Sequence, residues 1–95
     1  MPAYVIADVE VTDPVAFADY VKGGPAIVAA HGGTYVVRGG AVHVAEGDWQ
    51  PTRLTVIRFD SVAQARAWIE SPEYRPLRDI RQKAARSKIV IVEGM

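Results

Sequence analysis

The chain has 95 residues, of which 49% are hydrophobic, with 11 basic and 11 acidic side chains and no cysteine. Its length predicts one domain over residues 1–95, and its apolar content excludes a disordered chain. The balanced charge argues against nucleic-acid and membrane-surface binders, and the lack of cysteine excludes disulfides and thiolate chemistry. No secretory signal or membrane-spanning run is recognisable, so a cytoplasmic protein is expected.

The opening third of the chain predicts a strand and an interrupted helix. β-Branched residues favour a strand over Ala3–Val11, and Asp13-Pro14 suits the cap and first turn of a helix. Gly23-Gly24-Pro25 should interrupt or kink this helix, because proline lacks a donor and clashes with the preceding turn. A short second piece over Ala26–Ala30 is expected to end at Gly32, which can adopt the left-handed conformation.

The middle of the chain predicts a hairpin followed by another strand. Two short strands, Thr34–Arg38 and Ala41–Glu46, are predicted on either side of Gly39-Gly40, a dipeptide that suits a tight turn. After a loop, the apolar run Arg53–Phe59 predicts the next strand.

Two capping patterns and a last strand complete the predicted topology. Ser61 and Gln64 form a capping box, and Ser71-Pro72-Glu73 repeats the cap, proline and acid that begin helices. Ser87–Val92 is the final predicted strand. The order of elements predicts an α+β fold of the ferredoxin-like β-α-β-β-α-β type.

Both faces of the predicted antiparallel sheet are apolar. Tyr4–Ala7, Val56-Ile57 and Ile89–Val92 are apolar at consecutive positions, whereas a sheet with one wet face alternates. The predicted helices cover one face only, so the other face is expected to pack against the sheet of a second copy. The sequence therefore predicts a homodimer.

Ionisable side chains near strand ends mark a candidate site. Arg38 and Arg53 are candidate ligand-binding residues, because the planar guanidinium suits a small organic anion. Glu46 and His43 are candidate catalytic residues that exchange a proton, and Tyr74 is a candidate ligand-binding donor at the cleft wall. Alternatively, the arginines pair with Glu46, His43 is an ordinary strand residue, and Tyr74 packs beneath the last helix.

The predicted hairpin limits how these residues can meet. A two-residue turn at Gly39-Gly40 puts Arg38 and His43 on one face and Glu46 on the other. A direct bridge between Arg38 and Glu46 would therefore need a bulge. Neither His31 nor His43 has the spacing of a metal ligand, so no metal site is predicted.

Several short motifs spread over almost the whole chain: Asp13-Pro14, Gly32-Gly33, Arg38-Gly39-Gly40, Glu46-Gly47-Asp48-Trp49, Pro51, Arg53, Ser71-Pro72-Glu73-Tyr74 and Arg81. With these motifs the chain resembles the small bacterial proteins of domain-of-unknown-function family thirteen-thirty, within the dimeric α+β-barrel superfamily. The resemblance implies a ferredoxin-like protomer whose sheet packs on a twofold mate. The superfamily includes cofactor-free monooxygenases, isomerases and haem enzymes, so the fold by itself does not decide an activity.

Two functions remain open from the sequence. In the first, each protomer of a homodimer has a cleft between sheet and helices that binds a small organic anion. One form of this hypothesis adds a cofactor-free reaction of the isomerase, lyase or monooxygenase kind. In the second, the dimer is non-catalytic and binds a small molecule or is purely structural. Convergence of the predicted site residues on one cavity would favour the first, and neither hypothesis calls for a cofactor.

Overall fold

Four strands and three helices make up the fold in the computed structural model, which describes residues 1–95. The strands are β1 (Ala3–Val11), β2 (Thr34–Arg38), β3 (Leu54–Phe59) and β4 (Ala85–Glu93). The helices are α1 (Pro14–Ala30), α2 (Val62–Ile69) and α3 (Arg75–Ala84). All strand pairs are antiparallel in the spatial order β2-β3-β1-β4, which confirms the predicted ferredoxin-like α+β fold. None of the three helices is both long and apolar enough to cross a membrane.

The sheet has an inner face, which the helices cover, and an outer face, which they leave open. Val5, Ala7 and Val9 alternate along β1 and are buried on the inner face. The outer face carries a row of apolar neighbours from β2 to β4, namely Val37, Val56, Ile6 and Val90. Because Val90 is 57% exposed, this apolar row is uncovered in the single chain.

The predicted hairpin at Gly39-Gly40 is wrong. Thr34–Arg38 is a strand, but it pairs with β3 rather than with Ala41–Glu46. Residues 39–53 form an irregular connection whose side chains up to position 50 are exposed. The predicted second strand is lost because β3 buries Ile57 and Phe59 in the core, whereas 41–46 has no buried side chain to reward pairing.

One side chain of β1 ties this long connection to the outer face of the sheet. Trp49 donates from Nε1 to Oδ2 of Asp8 over 3.1 Å, and the backbone N–H of Thr52 donates to Oδ1 over 3.1 Å. The Trp49 ring itself remains 56% exposed. The tether therefore holds the end of the connection without burying its aromatic anchor.

The predicted break in the first helix is also wrong, since α1 runs unbroken through Gly23-Gly24-Pro25. Proline at position 25 leaves the carbonyl of Val21 without its usual intrahelical donor. The guanidinium of Arg38 donates to that carbonyl from Nη2 over 3.4 Å, which replaces the missing donor. Packing also favours glycine at position 23, because a Cβ there would lie 2.9 Å from the Leu77 side chain.

The helix starts are confirmed in two of three places. Asp13 accepts from the N–H of Ala16 over 3.2 Å, and Ser61 accepts from the N–H of Gln64 over 3.1 Å. Ser71 instead accepts from the N–H of Tyr74 within a turn, so α3 begins at Arg75 rather than beside Pro72. At its C-terminus α1 is followed by Gly32 with φ of +80°, the predicted left-handed position.

Candidate functional site

A small cavity lies between the inner face of the sheet and α1 of the helical layer. Its floor is apolar, formed by Val5, Ala7 and Ile57 of the sheet, and Phe17 of α1 closes one side. Gly24 is buried at the wall, where a Cβ would lie 3.6 Å from the hydroxyl of Tyr35. The free volume of the cavity is about 40 Å³.

A β-bulge in β2 places Arg38 at this cavity. Tyr35 lies opposite Ile57 and Arg38 lies opposite Thr55, so β2 supplies one more residue than β3 between the two pairs. Regular alternation would put Arg38 on the face opposite to Tyr35, and the extra residue returns it to the inner face. Its exposed guanidinium lies 4.9 Å from the centroid of the Tyr35 ring, so it stands at the cavity mouth.

Arg53 reaches the same mouth from the end of the long connection. The N–H of Val9 donates to the Arg53 carbonyl over 2.9 Å, which fixes the backbone there beside β1. The Arg53 guanidinium lies 5.5 Å from the centroid of the Phe17 ring. Gly39, with φ of +67°, passes beside the Arg53 side chain.

A third arginine, Arg81 of α3, lines the interior of the cavity and is only 6% exposed. Its Nε is buried without a hydrogen-bond partner. Sequence reasoning did not select Arg81 as a site residue, although a signal was present. It follows Leu77 by four positions and precedes Ala84 by three, so a cation stands on the apolar stripe of the helix.

Tyr20 and Tyr74 form a hydroxyl pair behind the cavity, with the two oxygens 2.6 Å apart. Burial raises the pKa of Tyr20, and the neighbouring Tyr74 raises it further, while the charge of Arg81 offsets part of the rise. Burial also raises the pKa of Tyr35, against the lowering effect of Arg38 and Arg53. Both tyrosines of the lining are therefore neutral hydrogen-bonding groups at neutral pH.

The cavity lining carries positive charge that no acidic side chain of the lining balances. It contains three arginines, Arg38, Arg53 and Arg81, and no aspartate or glutamate. Trp68 also lines the cavity, and its Nε1 is buried without a hydrogen-bond partner. The ion pairs of the chain are found elsewhere, at His31–Glu73 (3.9 Å) and Arg58–Asp60 (3.1 Å).

The structure brings only some of the predicted site residues together. Arg38 and Arg53 meet at the cavity mouth, and neither pairs with Glu46. Tyr74 is 1% exposed and lies in the core beneath Tyr20, outside the lining. His43 and Glu46 lie on the exposed connection between β2 and β3, also outside the lining. No group of three or more histidine, aspartate or glutamate side chains is placed to hold a metal ion.

Comparison with known proteins gives a family and a set of similar structures. The model of a domain of unknown function, DUF1330, matches residues 2–95. None of the curated proteins matches the chain. A protein of unknown function from Rhodopseudomonas palustris has a solved structure that is 21% identical, with a TM-score of 0.75 over 99% of this chain and 82% of that chain.

Two further solved structures share the fold. A hypothetical protein from Arabidopsis thaliana is 14% identical, with a TM-score of 0.73 over 99% of this chain and 88% of that chain. SnoaB, a cofactor-independent oxygenase from Streptomyces nogalater, is 12% identical, with a TM-score of 0.68 over 99% and 93% of the two chains. At such identities the likeness shows a common fold and no common activity.

Proposed function

The chain belongs to the DUF1330 family, and we propose that it binds a small organic anion in the cavity between its sheet and α1. One observation carries this proposal: the lining holds three arginines and no acidic side chain. Guanidinium groups remain protonated at all physiological pH values, so the lining has an excess of positive charge. An anionic ligand supplies the missing charge.

The ligand is a compact organic acid rather than a bare inorganic ion. Most of the lining is hydrophobic, with Val5, Ile57 and Ile89 from the sheet and Phe17 and Trp68 from the helices. Such walls bind a hydrocarbon portion, while the arginines at the mouth orient a carboxylate. The free volume of about 40 Å³ keeps the buried portion small.

A cofactor-free reaction in the same cavity is a second candidate, supported by the position of Tyr20 in the lining beside the arginines. Burial raises the pKa of Tyr20 and keeps its hydroxyl neutral, so this hydroxyl can donate a hydrogen bond to negative charge that develops on the ligand. The acid–base roles of His43 and Glu46 remain predictions that need those residues to approach the cavity from the exposed connection. The test is Tyr20→Phe, which should keep anion binding and lose turnover.

The homodimer is part of the proposal, and the outer face of the sheet supports it. Val36 and Val90 are each 57% exposed and Val92 is 46% exposed. Removing these side chains from water against the same face of a second copy would contribute favourable free energy in proportion to the apolar area buried. The cavity lies on the inner face, so each protomer would keep its own site.

Thermal melting of wild type and Arg38→Ala, each with and without a panel of small organic acids, tests the binding function. Arg38 carries little packing, so the variant should melt near the wild-type temperature without ligand. Loss of its charge-assisted hydrogen bond should weaken anion binding by about 2 kcal/mol. Arg66→Ala, an exposed arginine of α2 outside the lining, is the matched control and should behave as wild type.

Equal ligand-induced shifts in wild type and Arg38→Ala would remove Arg38 from the site. A lower melting temperature of Arg38→Ala, with no response to any acid in either protein, would favour a purely structural role. That outcome would leave the non-catalytic structural dimer as the function.

A further inference from the structure

The positive charge of the cavity lies at two depths. Arg38 is exposed at the mouth and Arg53 is half-buried beside it, each set over an aromatic ring. Arg81 is 6% exposed, and its charge acts on the partly buried Tyr20, where it offsets part of the rise in pKa that burial causes. The mouth and the interior therefore form two separate cationic positions in one cavity.

The interior position lacks a partner within the chain. Nε of Arg81 has no acceptor, and the chain forms no ion pair with this guanidinium. A charge removed from water without a partner is strongly unfavourable, so such a residue persists when something else supplies the counter-charge.

The number of positive charges in the cavity also distinguishes dicarboxylate ligands from monocarboxylate ligands. A monocarboxylate held by Arg38 and Arg53 would leave Arg81 unpaired in the interior. A ligand with a second carboxylate would compensate both positions, and its hydrocarbon portion would contact the apolar walls between them. A long ligand is excluded by the free volume of about 40 Å³.

We propose that the ligand is a short dicarboxylic acid, with one carboxylate bound by Arg38 and Arg53 at the mouth and the other by Arg81 in the interior. This inference rests on the proposed anion-binding function and narrows it. It assigns Arg81 as the residue that selects two anionic groups over one. The guanidinium of Arg81 donates to the inner carboxylate, whose oxygens only accept.

Calorimetric titration of the full chain compares malonate and succinate with the monocarboxylates of equal chain length, propionate and butyrate. We expect at least one dicarboxylate to bind about tenfold more tightly than its monocarboxylate, as one added charged hydrogen bond implies. Arg81→Met should abolish that preference, because methionine fills the space without a charge. Lys83→Met, which removes an exposed charge from the same helix, is the matched control and should keep it.

Melting of the ligand-free proteins gives a second readout. Since Arg81→Met removes an unpaired buried charge, it should melt at a higher temperature than wild type while losing the dicarboxylate response. Equal affinities of wild type for mono- and dicarboxylates, or a preference that persists in Arg81→Met, would contradict the dicarboxylate proposal. Either result would still be compatible with the proposed anion-binding function. Failure of every acid to bind wild type would overturn both.

Discussion

Arg38 donates from Nη2 to the backbone carbonyl of Val21 over 3.4 Å, and this is the carbonyl that Pro25 leaves without a donor in α1. A side chain at the cavity mouth thus completes the hydrogen bonding of a helix that a proline would otherwise weaken. The distance is at the long end of hydrogen bonds, so the interaction is weak. Arg38 can therefore turn toward an anion at little cost to the fold.

Pro25→Ala should raise the free energy of unfolding by about 1–3 kcal/mol. Alanine restores the donor to the Val21 carbonyl and removes the clash of the ring with the preceding turn. Urea denaturation measures the change. Pro14→Ala is the control, because proline at the first helical position is already favourable, and this variant should be no more stable than wild type. A destabilised Pro25→Ala would mean that the packing of α1 depends on the proline.

Tyr74→Phe should lower the free energy of unfolding by about 1–3 kcal/mol, because it leaves the partly buried Tyr20 hydroxyl without its partner at 2.6 Å. The double variant Tyr20→Phe/Tyr74→Phe removes both hydroxyls and should recover part of the loss. Denaturation of the two single variants and the double variant gives the coupling free energy between the two hydroxyl groups. Strictly additive effects would show that the hydroxyls do not stabilise each other.

Stability should fall as the pH rises above about 10. Unfolded tyrosine loses its proton near that pH, whereas the raised pKa of Tyr20 keeps the proton in the folded state. Above about pH 10 the unfolded state therefore binds fewer protons than the folded state, so the free energy of unfolding decreases as the pH rises. Below about pH 10 the contribution of Tyr20 to stability is fully present. Melting between about pH 9 and pH 11 should give a shallower slope for Tyr20→Phe than for wild type. An unchanged slope would contradict the assignment.

Two adjacent residues of β4 should respond differently to substitution by aspartate. Val90 belongs to the outer face, whereas Ile91 lies opposite Val5 on the inner face and packs against the core. Ile91→Asp should cost several kcal/mol of stability, since it places a carboxylate in the core. Val90→Asp should leave a single chain folded but dissociate the proposed dimer.

Light scattering distinguishes these outcomes. The mass of one chain is 10.3 kDa, so a twofold assembly should give a molar mass of about 20 kDa. The Val90→Asp variant should give half that molar mass. A wild-type protein that scatters as a single chain would contradict the dimer. A Val90→Asp variant that keeps the doubled mass would place the interface elsewhere.

The sequence by itself determined the elements whose signals are local. The run Ala3–Val11 formed β1, and the side chains of Asp13 and Ser61 begin α1 and α2 by accepting from backbone N–H groups three residues ahead. The order of these elements was enough to predict the ferredoxin-like topology. Each of these signals depends on residues a few positions apart, which is why one chain suffices to recognise them.

Only the tertiary structure decided where the candidate site lies. The bulge that turns Arg38 inward depends on its register with Thr55, and the loss of strand 41–46 depends on competition with β3 for pairing. Arg81 stands in the interior because α3 packs there, and Tyr20 meets Tyr74 across 54 positions of sequence. Register, competition and burial are properties of contacts between distant segments. The conformational preferences of short segments do not reveal such contacts. Some residues of the site could therefore be identified from the sequence, but their positions in the fold could not.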